Sequence, residues 1–192
     1  MSGEGNTSFG AVEAAKQFAA ALEAAKCDYA LGGAIALGFW SSPRGTLDVD
    51  ITLFLPRERP SQCVRLLQQI GCELNTGNSL ESLTKHGYCQ VEFAGRRVDV
   101  FLPLVPFYEH ARQRRKQVLL SGQPVTIWDA ETLCVFKMMF FRRKDLADVE
   151  QILRTQGDQL DRNWILERLT EIHGHHDPRI SQWEELVRET QQ

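Results

Sequence analysis

The segment LDVDITLFL, from Leu47 to Leu55, constrains the fold of this chain more than any other. Its leucine, isoleucine and valine content predicts a buried β-strand, which Pro56 ends. Two carboxylates, Asp48 and Asp50, nevertheless lie within it. Side chains two positions apart on a strand share one face and lie about 6–7 Å apart along it. The two aspartates are therefore expected side by side, where they would repel each other unless something neutralises them.

Two interpretations account for this pair of carboxylates. Ion pairing with Arg44, Arg96 or Arg97 at a strand edge would neutralise them. A divalent cation would do the same, because hard cations such as Mg²⁺ prefer carboxylate oxygen. Asp99 lies between two valines on a later predicted strand, and it would complete a set of three carboxylates if the two strands are neighbours.

A glycine pair precedes the strand. Gly32 and Gly33 separate a short predicted strand, residues 28–31, from a short predicted helix. Such a turn lets the backbone approach a phosphate, which the N–H groups and dipole of the following helix would attract. A simple tight turn without a ligand is the alternative.

In order and context, LGGAIALGFWSSPRGTLDVDITL followed by a single later Asp resembles the signature of the DNA polymerase beta-like nucleotidyltransferase superfamily. The resemblance covers most of residues 28–102. It is closest to stand-alone bacterial proteins related to abortive-infection toxins, with lincosamide- and aminoglycoside-type enzymes more distant.

The resemblance implies roles for individual residues. Asp48, Asp50 and Asp99 would be catalytic and would hold two Mg²⁺ ions. The Gly32–Gly33 turn would contact the β- and γ-phosphates of an NTP. Arg44 and Thr46 would contact a phosphate or anchor the strand.

A second segment, FKMMFFRRKDLADVEQIL, resembles the helical motif of the abortive-infection group. It implies that Lys137 reaches the triphosphate with help from Arg142 or Lys144. A network of exposed ion pairs, such as Lys144 with Asp148 at i,i+4 spacing, is the alternative, and such pairs contribute little energy.

The remaining pattern predicts the architecture. Residues 1–128 are expected to form an α/β (α+β) domain with a mixed, partly antiparallel sheet flanked by helices, and residues 129–192 a helical lobe. Within these, we expect a helix over residues 12–26, a helix capped by Ser61, and a hairpin of residues 88–93 and 97–102 joined by an Ala-Gly-Arg turn. The helix that starts at Asp129 is expected to break near Arg143.

Other features point to less specific interpretations. HARQRRKQ (110–117) and RRK (142–144) could form a nucleic-acid patch, but a solvated helix face is favoured. HGHHDP (173–178) lacks sensibly spaced Cys or acidic ligands for zinc, and Gly174 is expected to end a helix. Three tryptophans, Trp128, Trp164 and Trp183, are expected to anchor the core of the helical lobe.

Composition favours a soluble cytoplasmic protein. The 192 residues carry a net charge of −3 and are 43% hydrophobic, which suits one domain, or one domain with a small lobe. The five cysteines form no CxxC pair and are expected to be reduced. The start, MSGEGNTS, lacks the features of a signal peptide, and no apolar run approaches the ~18 residues of a membrane span.

The predicted function is Mg²⁺-dependent transfer of an NMP from an NTP to an acceptor hydroxyl. The acceptor could be a protein, a tRNA or a small hydroxylated molecule. A catalytically silent nucleotide-binding or antitoxin-like module, acting with a partner protein, would have the same sequence. A hydrolase using the same carboxylates is disfavoured because no His-Asp pair has metal-ligand spacing.

Overall fold

The structure, a computed structural model, describes residues 10–190. The prediction about MSGEGNTS therefore lies outside the described residues. Within residues 10–190, the helices are α1 (Ala11–Ala24), α2 (Gly33–Trp40), α3 (Pro60–Gln69), α4 (Thr76–His86), α5 (Phe107–Arg114), α6 (Ala130–Phe140), α7 (Arg143–Gln156), a short 3-10 helix (Gly157–Gln159), α8 (Arg162–His173) and α9 (Pro178–Thr190).

Six strands form one mixed sheet in the order β3-β4-β2-β1-β6-β5. The central strand β2 runs antiparallel to β1 and parallel to β4, and β4 runs antiparallel to β3. The strands are β1 (Tyr29–Leu31), β2 (Val49–Leu53), β3 (Tyr88–Phe93), β4 (Arg96–Phe101), β5 (Lys116–Leu120) and β6 (Gln123–Ile127).

The described chain divides into two compact units, each assembled from separate segments. Unit 1 comprises residues 10–31, Gly45–Leu104 and Gln117–Thr126. Unit 2 comprises Gly32–Arg44, Val105–Lys116 and residues 127–190. The predicted division of the chain into residues 1–128 and 129–192 is a single cut in the sequence, and it stays a prediction.

Unit 1 buries one face of the sheet. Val49, Ile51 and Leu53 alternate along β2 and are buried, as the period of a strand requires. The alanine-rich helix α1 buries Phe18, whose ring meets that of Phe93 edge-on at a centroid distance of 4.9 Å. The polar side chains of β2 are thereby left on the opposite face.

Unit 2 is helical, and α6 lies in its core. Asp129 caps α6 by accepting a hydrogen bond from the backbone N–H of Thr132 at 2.9 Å. The helix ends at Phe141, which adopts a left-handed φ of 55°, and α7 begins two residues later. The α2 segment joins this unit because the Trp40 indole donates to the backbone oxygen of Trp128 at 2.8 Å.

The predicted fold class is confirmed: a mixed α/β sheet is flanked by helices. The expected break near Arg143 and the helix end at Gly174 are also confirmed. Two details are wrong. Helix α3 starts at Pro60 instead of being capped by Ser61, because proline is preorganised for the first helical position. The hairpin turn has only two residues, Ala94 and Gly95, with φ of 52° and 69°, a geometry that matches strand twist.

None of the helices within residues 10–190 is both long and apolar enough to cross a membrane. The five cysteines are free thiols, and all except Cys27 are buried. Burial raises the pKa of Cys27 to about 11 and those of Cys72 and Cys89 to about 12. These thiols are therefore protonated and unreactive near neutral pH.

Candidate active site

Two of the three predicted carboxylates lie directly opposite each other on neighbouring strands. Because β2 and β4 are parallel, Asp50 is the register partner of Asp99. Val98 and Val100, on either side of Asp99, are buried, so Asp99 faces the polar side of the sheet. Asp48 immediately precedes β2 and, two positions before Asp50, belongs to the same face. The expectation that the strand of Asp50 and the strand of Asp99 are neighbours is confirmed.

Arg97 contacts two of these carboxylates. Its Nη2 donates a hydrogen bond to Oδ2 of Asp48, and its Nε lies 3.6 Å from Oδ1 of Asp99. The Arg97 side chain is 51% exposed, whereas those of Asp48 and Asp99 are 35% and 16% exposed. The negative charge of Asp99, followed by that of Asp48, raises the pKa of Arg97. One of the ion pairs considered from the sequence is therefore present.

Two hydroxyl groups position these aspartates. The phenol of Tyr88 donates to Oδ1 of Asp99 at 3.2 Å. Burial, and then the charge of Asp99, raises the pKa of Tyr88 to about 12, so the phenol stays a donor. The hydroxyl of Thr46 donates to the backbone oxygen of Asp48 at 3.0 Å and accepts from its N–H at 3.2 Å, which fixes the entry to β2.

Sequence reasoning missed Tyr88, although the hairpin contains a signal for it. Tyr88 pairs with Phe101 across the β3–β4 ladder, two positions from the pair of Gln90 with Asp99. A diagonal neighbour at that spacing is within reach of an aromatic side chain. Counting the ladder back from a two-residue Ala-Gly turn would have identified it, whereas the predicted three-residue turn shifts the register by one position.

The donor set suits a hard divalent cation, because three carboxylates supply only oxygen ligands. Across residues 10–190, however, no group of three or more His, Cys, Asp or Glu side chains is arranged to hold a metal ion. Asp48 and Asp99 instead direct oxygens toward the Arg97 guanidinium. The ligand chemistry fits the cation, while in the present arrangement Arg97 contacts Asp48 and Asp99.

The glycine turn lies in unit 2 and begins α2. Gly32 is the N-cap, and its backbone oxygen accepts from the N–H of Ala36 at 3.0 Å. Gly33 has a φ of 53°, a conformation that other residues adopt only with strain. The first N–H groups of a helix have no partner within the helix. The turn is therefore chemically suited to an anion, as its sequence indicates.

Two other predicted residues of unit 2, Lys137 and Arg44, meet at Asp148. Nζ of Lys137 lies 2.6 Å from Oδ2 of Asp148, and Arg44 donates to both carboxylate oxygens at 3.1 and 3.0 Å. Lys137 is 5% exposed. Burial alone would raise the pKa of Asp148, but the hydrogen bonds from Arg44 and Lys137 outweigh it and lower that pKa. The cluster ties the Arg44 segment to α6 and α7.

Arg142 and Lys144 lie where α7 begins. Nε of Arg142 donates to Oδ2 of Asp145 at 2.6 Å, and the backbone N–H of Arg142 donates to the same oxygen at 3.3 Å. The guanidinium lies 4.9 Å from the centroid of the Phe140 ring. Both Arg142 and Lys144 are exposed, so they can meet a solvent-borne anion.

The basic segment 110–117 is partly internal to unit 2. Arg114 contacts Asp129 at 2.7 Å and Glu131 at 3.0 Å. Its guanidinium also lies 4.3 Å from the centroid of the Trp164 ring. Trp183 and Trp128 are buried, as predicted, whereas Trp164 is half-buried beneath Arg114. This arginine therefore serves packing more than it serves a nucleic-acid surface.

Comparison with known proteins identifies solved structures with a similar architecture. No protein-family model matches the sequence, and no curated protein matches it. The chain is similar to the solution structure of the antibiotic-resistance factor ANT(2'')-Ia, with a TM-score of 0.55 and 16% identity over 86% of this chain and 96% of that one. The crystal structure of ANT(2'')-Ia in complex with adenylyl-2''-tobramycin has a TM-score of 0.54 and 16% identity over 84% of this chain and 95% of that one.

A further similar structure is the lincomycin-bound lincosamide antibiotic adenylyltransferase LnuA. Its TM-score is 0.51 at 11% identity, over 73% of this chain and 94% of that one. Likeness at such low identity concerns the path of the chain and not the chemistry of its side chains. The protein therefore has the nucleotidyltransferase fold.

Proposed function

We propose that this protein is a Mg²⁺-dependent nucleotidyltransferase that moves an NMP from an NTP to a hydroxyl group of a small molecule. One observation carries the proposal. In a chain with the nucleotidyltransferase fold, Asp50 and Asp99 are register partners on parallel strands, and Asp48 precedes Asp50 on the same face. A hydrophobic sheet has no structural need for three carboxylates on one face.

Asp48, Asp50 and Asp99 would hold the metal ions. Bound Mg²⁺ would stabilise the charge that develops on the attacking and leaving oxygens. Asp99 would accept the proton of the acceptor hydroxyl, whose oxygen then attacks the α-phosphorus. The bond to the β-phosphate breaks, and pyrophosphate leaves. The Tyr88 phenol, which donates to Asp99 at 3.2 Å, would orient that carboxylate.

The remaining predicted residues would bind the nucleotide, directly or indirectly. The N–H groups at the Gly32–Gly33 turn suit the β- and γ-phosphates, and the exposed Arg142 and Lys144 suit the same anion. Lys137 is buried against Asp148, which supports a positioning role for it. The contacts of Arg44 with Asp148 support the same role.

The hydrogen bonds of Thr46 support the predicted role in anchoring the strand. Both partners are backbone atoms of Asp48, so the hydroxyl fixes the backbone of the first proposed metal ligand. A phosphate contact by Thr46 is not needed in this proposal.

The choice of acceptor rests on the similar structures. ANT(2'')-Ia was solved with adenylyl-2''-tobramycin and LnuA with lincomycin, both small hydroxylated molecules. A small-molecule acceptor is therefore preferred here over a protein or a tRNA. The likeness to toxin-related proteins, a partner protein and a cytoplasmic location stay predictions.

A catalytically silent nucleotide-binding or antitoxin-like module is the second candidate, and Arg97 favours it. Its guanidinium contacts Asp48 and Asp99, so the chain itself neutralises these carboxylates. A module of this kind would bind an NTP and transfer nothing.

The experiment offers each of the four α-³²P-labelled NTPs with Mg²⁺ and a panel of hydroxylated acceptors that includes tobramycin and lincomycin. Label transfer and pyrophosphate release are measured together, and NTP binding is measured by titration calorimetry with and without Mg²⁺. Asp99→Asn should lower transfer at least about 100-fold, as expected for loss of a general base. Glu92→Gln is the matched control, because Glu92 pairs with Arg97 on the β3–β4 ladder and is exposed.

The outcomes separate the two candidates. Transfer that needs both Mg²⁺ and Asp99 establishes the enzyme, the need for Asp99 and the acceptor. Metal-dependent NTP binding without transfer to any acceptor supports the silent module. Equal transfer by wild type and Asp99→Asn contradicts the assignment of the site.

A further inference from the structure

The Arg97 guanidinium contacts two of the carboxylates that would bind the metal ions of the proposed function. It donates to Asp48 and lies 3.6 Å from Asp99, so its charge faces the carboxylates to which metal binding was assigned. Both contacts come from one guanidinium, at Nη2 and Nε. The two carboxylates are thereby linked across the β2–β4 ladder without any ion.

The charge of this arginine cannot be removed by losing a proton, since a guanidinium stays charged in proteins. A divalent ion approaching Asp48 and Asp99 therefore meets either a repulsive cation or oxygens already used as hydrogen-bond acceptors. The Arg97 side chain is half exposed and sits in the second position of β4, just after the two-residue turn. It can leave by rotating into solvent, without a change in the sheet.

We propose that Arg97 is a built-in counter-cation that competes with the divalent metal ion for Asp48 and Asp99 and is displaced when the ion binds. This inference rests on the metal site of the proposed function. Arg97 makes the acidic face tolerable in the metal-free protein, because like charges on neighbouring positions of a sheet destabilise it. It also weakens the binding of the metal ion.

The consequence is a specific pattern among variants. Arg97→Gln removes the competing charge and should tighten metal binding. Arg97→Lys keeps the charge but loses the fork that spans two carboxylates, so its affinity should be intermediate. Arg65→Gln is the matched control, since Arg65 is an exposed arginine of the same unit on α3.

The experiment measures Mn²⁺ binding to the full chain by isothermal titration calorimetry and by electron paramagnetic resonance, without nucleotide. Wild type, the three arginine variants and Asp50→Asn are compared. We expect the Kd of Arg97→Gln to fall about three- to tenfold, because the ion no longer displaces an exposed ion pair. Arg65→Gln should match wild type, and Asp50→Asn should lose the site.

A second readout follows Arg97 itself. In nitrogen-15 spectra, adding Mg²⁺ should shift the Nε–H resonance of Arg97 and leave that of Arg65 in place. Equal Mn²⁺ affinity of wild type and Arg97→Gln, with binding lost in Asp50→Asn, overturns the competition and leaves the proposed metal site standing. Absence of a site in every variant overturns both the competition and that metal site.

Discussion

Each unit contains a cluster of three side chains that joins arginine or lysine to aspartate, and the two clusters differ in exposure. In unit 2, Lys137 and Asp148 contact each other, and their side chains are only 6% and 9% exposed. In unit 1, Arg97 is 51% and Asp48 35% exposed. The Lys137–Asp148 pair is withdrawn from water, whereas the unit 1 cluster remains accessible to a dissolved ion.

This difference separates a structural ion pair from a replaceable one. Breaking a buried pair leaves a charge without a partner in a poorly solvated place, which costs several kcal/mol. Breaking an exposed pair costs little, because water and salt replace the lost partner. The unit 2 cluster is therefore expected to stabilise its unit, while the unit 1 cluster is available for chemistry.

The largest expected effect tests the buried cluster. Lys137→Met keeps the length of the side chain but removes the ammonium group that contacts Asp148 at 2.6 Å. Asp148 keeps its contacts with Arg44, so the free energy of unfolding should fall by about 2 kcal/mol, as for the loss of one buried hydrogen bond to a charged group. Urea denaturation followed by circular dichroism measures it.

Lys144→Met is the control for that experiment, because Lys144 is exposed on α7 and its loss should leave the urea midpoint nearly unchanged. Equal midpoints for the two variants would contradict the buried role of Lys137.

The pH dependence of the same cluster gives the next test. Hydrogen bonds from Arg44 and Lys137 outweigh the opposing effect of burial and lower the pKa of Asp148. Its ionised form therefore stabilises the folded state above the unfolded pKa of about 3.9, and this stability is lost as the pH falls through the lower folded value.

Asp148→Asn should accordingly destabilise the protein at pH 7, and the difference from wild type should shrink as the pH falls from 5 to 2. Urea midpoints across this range measure it, with Asp158→Asn, at a fully exposed aspartate, as the control. A difference that stays constant with pH would show that the charge of Asp148 is not responsible.

Arg44 should have an intermediate effect. It contacts both oxygens of Asp148, but its side chain is 43% exposed. Arg44→Gln should lower the free energy of unfolding by about 1 kcal/mol, because a bidentate contact is strong but partial exposure to solvent screens it. If the urea midpoint of Arg44→Gln were at or below that of Lys137→Met, burial would not determine how much each contact stabilises the protein.

The sequence predicted well those features that depend on local patterns. The leucine, isoleucine and valine content of residues 47–55 indicated a buried strand with two carboxylates on one face, and the register places Asp50 opposite Asp99. The acidic residue before α6 and the change of pattern near Arg143 marked helix ends that the structure contains.

Helix α4 was missed because its segment, TGNSLESLTKH, carries no continuous apolar stripe. The residues on either side did signal it. Asn75 caps its start by accepting from the N–H of Asn78, and Gly87 ends it in a left-handed conformation. Both signals were readable from the sequence.

The sequence could not select among the candidate ion-pair partners. Arg44 and Asp148 are 104 positions apart in the chain, so only the tertiary fold brings them together. The sequence offered Arg44, Arg96 and Arg97 as equal candidates for the strand carboxylates. The β2–β4 register selects Arg97 for Asp48, since Arg97 precedes the partner of Val49 on β4.

The smallest expected effect on stability tests the exposed cluster. Arg97→Gln should leave the urea midpoint close to that of wild type at 0.15 M salt, because the ion pair is exposed and screened. At low salt the midpoint should fall slightly, since Asp48 and Asp99 then repel each other without a counter-cation. Adding Mn²⁺ should raise it more than in wild type, as ligand binding to the folded state requires. A large loss of stability at 0.15 M salt would show that the Arg97 contacts stabilise the fold as the buried contacts of Lys137 do. The proposed difference between accessible and structural ion pairs would then be wrong.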